Sequence, residues 1–212
     1  MPDASTPDNT ADFVNTKNLG HADIRRQKRT QRQQLPAKIQ QLHSQALCDN
    51  VIKEKAYRNS KHLALYLAND GEIDPRPLIE HAWFLNKSVY LPILAPLQNR
   101  LYFAPYKTAS RLKLNRYNIA EPVCHPSQWK TARQLDLLLL PLVAFDVDGN
   151  RIGMGGGFYD RTLAYLKHRH HWRKPTLMGL AHDIQKVEQL KMQNWDIPLD
   201  CIITEKQRYI TW

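Results

Sequence analysis

The chain has 212 residues, 42% hydrophobic and 24% charged, which is enough for one buried core and points to one domain, alone or with attachments. Its formal net charge of +10 favours anionic partners, whether nucleic acid, nucleotide phosphates or a carboxylate-rich metabolite, without choosing among them. The longest apolar run, Leu137 to Phe145, is far short of the roughly 20 residues of a membrane helix, no leader pattern opens the chain, and Cys48, Cys124 and Cys201 form no CxxC pair, so a membrane span, a disulfide framework and a cysteine zinc site are not expected and a cytoplasmic location is.

Residues 1–18 are polar, contain Pro2 and Pro7 and lack apolar periodicity, which predicts a disordered extension ahead of a single α/β domain over 19–212. Arg25, Arg26, Lys28, Arg29 and Arg32 then crowd into eight positions, with no acid between Ile24 and Cys48. A solvated helix face explains such a run as well as an anion site does. The pattern predicts a basic helix to Gln34. A second, amphipathic helix follows, with Pro36 in its first turn and Ile39, Leu42, Ala46 and Leu47 at helical spacing, reaching about Tyr57.

The run from His62 to Ala68 has strand length and ends in the turn signal Asn69, Asp70, Gly71. Pro77 to Asn86 reads as a helix and Ser88 to Leu94 as a strand, a β-α-β unit that implies parallel pairing. Arg100 to Tyr106 supplies another strand and Leu135 to Phe145 an apolar one suited to burial on both faces. Thr176 to His182 and Cys201 to Glu205 complete an open, mostly parallel α/β sheet with helices on both faces.

Ligands of such sheets collect beyond the carboxyl ends of the strands. Just past one such end comes "RIGMGGGFYDR", Arg151 to Arg161, with four glycines in the five positions 153–157. Glycines permit positive φ and close approach of an anion to the main chain, and successive N–H groups form a nest there. The loop thus has the chemistry of a phosphate cradle, although it is neither a Walker A loop nor a GxGxxG fingerprint. A strand-to-helix turn of purely structural purpose is the alternative.

"GNRIGMGGGFYDR" resembles the signature of the 5-formyltetrahydrofolate cyclo-ligase family, also called methenyltetrahydrofolate synthetases. The likeness extends to Ile24 and Arg25 with Arg32, Leu35 and Pro36, to "LANDGEIDPRPLI", "YNIAEP", "GLAHD" and "WDIPLD". It implies a fold like those of sugar-phosphate isomerases and CoA transferases. It also implies an enzyme that uses ATP and Mg2+ to convert 5-formyltetrahydrofolate to 5,10-methenyltetrahydrofolate, working as a monomer without nucleic-acid or membrane partners.

Carried over residue by residue, the resemblance implies that Arg151, Ile152, Gly153, Met154, Gly155, Gly156, Gly157, Phe158 and Tyr159 hold the nucleotide, with Arg151 and Tyr159 catalytic. Met154 and Gly156 stand where some relatives carry cations. His21, Ile24 and Arg25 belong to an amino-terminal nucleotide-contacting segment, His21 standing where relatives often place a lysine. Glu72, Leu67, Tyr117 and Phe158 would meet the folate, and Asp160 and Asp196 the magnesium. Each has a plainer alternative: a first-turn helix acid for Asp160, a turn cap for Asp196, core aromatics for Phe158 and Tyr159.

Asp146 and Asp148 read as a turn with Gly149 and Asn150, and the histidines of "KHRHHWRK", Lys167 to Lys174, as a solvated helix end and loop. Nucleic-acid binding and an ATP-independent isomerase are the rival functions. The first lacks an RNA-binding, zinc-finger or helix-turn-helix signature.

Overall fold

The computed structural model describes residues 19–96, 98–168 and 174–210, so the expected amino-terminal extension and the centre of the histidine-rich stretch lie outside the described residues. In chain order the elements are α1 (His21–Gln33), α2 (Ala37–Val51), α3 (Lys55–Asn59), β1 (His62–Ala64), α4 (Arg76–Phe84) and β2 (Ser88–Leu94). There follow β3 (Leu101–Pro105), β4 (Leu112–Leu114), β5 (Ala120–Pro122), β6 (Leu137–Pro141), β7 (Ala144–Phe145) and β8 (Arg151–Ile152). The chain continues through α5 (Phe158–Leu163), β9 (Thr176–Leu180), β10 (Cys201–Ile203) and β11 (Arg208–Ile210).

The main sheet has seven strands in the order β11-β10-β9-β6-β1-β2-β3. Its five central strands, β10 to β2 in that order, pair in parallel, and antiparallel β11 and β3 close the two edges. The mostly parallel α/β architecture is as the sequence predicts. Strand β6 shows why it holds together. Leu137 and Leu139 pack on one face with α2 and α4 residues such as Leu47, Val51, Leu78 and Ile79. Leu138 and Leu140 face the other side, against Leu163 of α5, Leu135, Leu199 and Phe145. With both faces covered, alternation of polarity disappears and the strand reads as a continuous leucine run.

Three boundaries differ from the sequence reading. The second helix stops at Val51 and a turn, in which Glu54 N–H bonds Val51 O at 3.0 Å, restarts the chain as α3 so that Tyr57 is fully buried. The strand after His62 keeps ladder pairing only to Ala64; residues 65–68 run on extended into a turn whose Asp70 and Gly71 have φ of 56° and 72°. The apolar run 135–145 is two elements. It leaves the main sheet after Pro141 because the Leu142 carbonyl accepts from Arg32 and Gln185 side chains and the Val143 carbonyl from Gln185. It then pairs again as the antiparallel β7–β8 hairpin.

The hairpin delivers the glycine loop, and Asp146 anchors it. That carboxylate is fully buried and accepts from Asp148 N, Asn150 N, Asn150 Nδ2 and, across the chain, Leu190 N at 2.8–3.1 Å. The expected turn is therefore also a tether. Asp146→Ala leaves these donors without their charged acceptor, and a loss of roughly 3 kcal/mol in unfolding free energy is expected from urea titration; an unchanged midpoint would show the hairpin to be held by its strands alone.

Candidate active site

The basic helix α1 is not simply a solvated face. Arg32 is fully buried and distributes its guanidinium over three segments of the structure. Its Nε donates to Asp70 O and its Nη2 to Asp70 Oδ2, both at 2.8 Å; its Nη1 donates to Leu142 O at 3.1 Å; and Nη2 lies 3.9 Å from Met154 Sδ and 3.7 Å from Glu72. Arg29 adds a two-bond clamp on the same Asp70 carboxylate at 2.7 and 3.0 Å, and the Gln33 amide donates to it as well. The bonds from Arg29, outweighing partial burial, hold the Asp70 carboxyl down at about 2. Lys28 is also buried and caps the Ile184 carbonyl at 2.7 Å; burial lowers its ammonium to about 8.

One turn earlier on α1, Arg25 reaches the glycine loop. Its Nε donates to Gly153 O at 2.8 Å, and its guanidinium carbon lies 3.5 Å from where a Cβ on Gly155 would stand. Gly155 and Gly157 take φ of 95° and 61°, conformations that L side chains rarely adopt, while Gly153 to Gly156 lie exposed. The loop is thus an open backbone surface overlooked by a cation. Arg161 braces its far side, donating to Gly156 O and, at 2.8 Å, to Asn99 O. Ile24 is buried against Ala144, Ile152, Val187 and Leu190, which fixes α1 to the hairpin. His21 spends its Nε2 on Lys191 O at 3.0 Å, an anchoring contact with the 190s segment rather than with the loop.

Beyond the loop, Arg151 pairs with Asp160 at 2.7 Å and also donates to Ile197 O, while Ile197 N approaches Asp160 Oδ1 at 3.5 Å. Asp160 Oδ1 is therefore occupied, and among the described residues Oδ2 has no hydrogen-bond partner. Asp196 accepts from Gln193 N at 2.8 Å in a local turn. Its geometry matches the turn-cap alternative. Leu67 is half-buried against the α2/α4 core.

Glu72 stands on the inner side of the Asn69–Glu72 turn with its side chain only 12% exposed, one oxygen accepting from Asn69 N at 3.1 Å. Burial pushes its carboxyl up to about 7, despite Arg32 nearby. Burial prevails because the Arg32 Nη2 is committed to Asp70 at the shorter distance. Tyr159 is packed beside the second core with Phe158, and burial, reinforced by Glu72, raises its hydroxyl above the usual tyrosine range. Tyr117 sits at the tip of the β4–β5 hairpin, 49% exposed, with its ring edge-on to Phe158 at 5.8 Å and Arg116 5.0 Å above it.

The structure thus brings Arg25, the glycines, Met154, Glu72, Phe158, Tyr159, Arg151 and Asp160 into one neighbourhood, with Tyr117 at its rim. A cavity of about 500 Å3 lined by Arg100, Tyr102, Arg133 and Tyr165 lies on the outer side of α5 and meets this neighbourhood only through Arg161. The organising roles of Arg32 and Asp70 were not visible beforehand. An available signal was the lack of any acid in α1 after Asp23, which requires the buried cations Lys28 and Arg32 to find partners elsewhere in the chain.

Comparison with known proteins bears on this arrangement. Residues 18–205 match the sequence profile of the 5-formyltetrahydrofolate cyclo-ligase family. The 5-formyltetrahydrofolate cyclo-ligase of Escherichia coli K12 is 46% identical over 143 residues, 67% of this chain and 76% of the relative. That of Haemophilus influenzae is 40% identical over 179 residues, 83% and 92% of the two chains. In three dimensions the fold is similar to Aquifex aeolicus 5,10-methenyltetrahydrofolate synthetase, with a TM-score of 0.75 at 28% identity over 90% of this chain and 92% of that one. A Mycoplasma pneumoniae 5,10-methenyltetrahydrofolate synthetase shares the fold, with a TM-score of 0.68 at 22% identity over 88% and 99% of the chains. The glycine loop, the buried glutamate beside it and the chain as a whole therefore belong to the 5-formyltetrahydrofolate cyclo-ligase family of enzymes.

Proposed function

We propose that this protein closes 5-formyltetrahydrofolate to 5,10-methenyltetrahydrofolate at the expense of ATP, releasing ADP and phosphate. The observation that carries the reading is the placement of Arg25 over an open, positive-φ glycine backbone whose neighbour through Arg32 is the buried Glu72. A phosphate chain on the loop and a pterin on the glutamate would then lie side by side. A formamide is a poor electrophile, so the formyl oxygen attacks the γ-phosphorus and ADP departs; the neighbouring folate amine adds to the activated carbon, and phosphate leaves with the formyl oxygen. Such a reaction asks for positioning and charge neutralisation more than for a nucleophile.

In this reading the Gly153–Gly157 amides and the Arg25 guanidinium hold phosphate oxygens, as a planar guanidinium can clamp two at once. Arg151, held by Asp160 and the Ile197 carbonyl, is the cation for the charge that develops between the two substrates. Glu72 accepts the pterin amino and ring N–H groups. Phe158 and Tyr117 meet at an angle that offers a flat ring one edge and one face. Tyr159 stays protonated near neutral pH and donates rather than accepts at the formyl end.

Magnesium fits this donor set as an ion carried mainly by phosphates and water, with Asp160 Oδ2 as a single carboxylate contact; it would supply neutralisation of phosphate charge. Asp196, committed to its turn, is a weaker second contact. The direct assay is methenyl-product absorbance with 5-formyltetrahydrofolate and Mg-ATP, omitting each in turn. Product in all but the complete mixture should be absent, and formation without ATP would favour isomerase-like chemistry.

Gly155→Val is expected to abolish ATP binding in a calorimetric titration while leaving a folded chain, because a β-branched residue disfavours φ of 95° and points at Arg25. Retained affinity would reduce the loop to a turn.

Glu72 gives a signed pH expectation. Its carboxyl is raised from 4.5 to about 7, so the stability it contributes is fully present below about pH 4.5 and is lost as pH rises through 7. Glu72→Gln cannot ionise, and its melting temperature relative to the parent should therefore rise between pH 5 and pH 8. Folate affinity should behave oppositely, strengthening through pH 7 in the parent as the carboxylate forms and staying flat in the variant. A parallel pH response of the two proteins would remove Glu72 from the pterin site.

Asp160→Asn should raise the magnesium concentration needed for half-maximal rate at saturating ATP and folate. A lowered melting temperature with an unaltered magnesium curve would leave Asp160 as the partner of Arg151 only.

A further inference from the structure

Away from the glycine loop, α2 and the ends of two parallel strands bring three ligand-type side chains together. His43 projects from α2, His182 follows β9 and Glu205 follows β10. Each offers one donor atom, and these atoms all lie within 4.8 Å of one another. His43 Nδ1 and His182 Nδ1 are 2.9 Å apart, and Glu205 Oε1 is 3.7 Å from His43 Nδ1. Among the described residues this is the one such grouping of three histidine, cysteine or acidic side chains.

We infer that His43 Nδ1, His182 Nδ1 and the Glu205 carboxylate form a binding site for a divalent transition cation of the zinc class. An ion about 2.0–2.1 Å from each of two nitrogens in tetrahedral geometry holds them roughly 3.3 Å apart, so the pair, 2.9 Å apart, admits it by opening about 0.4 Å. The set of two imidazoles and one carboxylate suits zinc, whereas magnesium and calcium prefer oxygen.

The surroundings orient the ligands. Glu205 Oε2 is held by Asp183 N at 2.9 Å, leaving Oε1 turned to His43. The His182 backbone is fixed by Gln185 Oε1 at 2.9 Å, and its ring is fully buried, with an Nε2 that has no hydrogen-bond partner. Without an ion, one Nδ1 must carry a proton to bond the other. Coordination frees both Nδ1 lone pairs by moving that proton to the same ring's Nε2, so two neutral histidines bind with no net proton release. His43 and Glu205, with side chains 23% and 8% exposed, leave an approach from solvent. An ion here would clamp α2 to the ends of β9 and β10.

The test is calorimetric titration of zinc chloride into the untagged, chelator-stripped full-length protein, with the melting temperature followed alongside. One equivalent should bind saturably and raise the melting temperature, and His43→Ala and Glu205→Gln should each weaken binding at least ~10-fold. Glu205→Gln keeps an oxygen for the Asp183 amide, so it tests the charge without loosening the turn. No saturable binding overturns the proposal. So does binding that is as tight in either variant as in the parent, which would put zinc on other histidines, such as those between Lys167 and Lys174.

Discussion

The arrangement depends on one buried cation. Arg32 has no exposed surface, and a guanidinium without water is tolerable only when its donors are taken up by fixed acceptors. Those acceptors are the Asp70 carboxylate and carbonyl and the Leu142 carbonyl, which belong to the turn after β1 and to the exit from β6. Satisfying the arginine therefore draws both segments to α1. It also brings Met154 and Glu72 to one nitrogen of the guanidinium, so that the glycine loop and the turn after β1, far apart in sequence, come to share a boundary. Arg29 and Gln33 reinforce the anchor through the same carboxylate. Lys28 and Arg32 are thus buried and Arg29 is paired, so these three of the five cations in the run have partners within the fold.

The same constraint explains what could and could not be read from sequence. The glycine loop's backbone was legible because its geometry is local: positive φ at Gly155 and Gly157 is written in the residue type. The parallel sheet was legible because burial on both faces produces unbroken apolar runs. The break after Pro141 was not, since Leu142, Val143 and Phe145 are as apolar as the strand before them. What ends β6 is carbonyls given to Arg32 and Gln185, partners 110 and 43 residues from Leu142. Asp160 and Asp146 show the same limit from opposite sides. Asp160 reads from sequence as a magnesium carboxylate or a first-turn helix acid and is paired with Arg151; Asp146 reads as an ordinary turn residue and ties the loop's hairpin to Leu190. The His43, His182 and Glu205 grouping had no local signature, because three distant elements supply one residue each.

Electrostatics at the site are divided in a way that suits two substrates. Arg25 overlooks the exposed glycine backbone, a solvent-facing surface. Glu72 and Tyr159 lie deeper, where burial raises both groups and favours their protonated forms. Arg151, shared between Asp160 and the Ile197 carbonyl, acts on the Tyr159 hydroxyl, and its charge is kept in place by the acid that partly neutralises it. A phosphoryl group passing from the exposed half to the buried half would thus meet fixed donors along its course, with little reorganisation.

That passage is the central claim, and an oxygen label tests it directly. If the formyl oxygen takes the γ-phosphoryl group and later leaves with it, 5-formyltetrahydrofolate labelled with oxygen-18 at the formyl position should deliver the label to inorganic phosphate. Mass spectrometry of the phosphate from a single turnover, run in unlabelled water, should find one labelled oxygen for each methenyl product formed. Unlabelled phosphate, with the label in water instead, would contradict direct transfer between the glycine loop and the Glu72 wall.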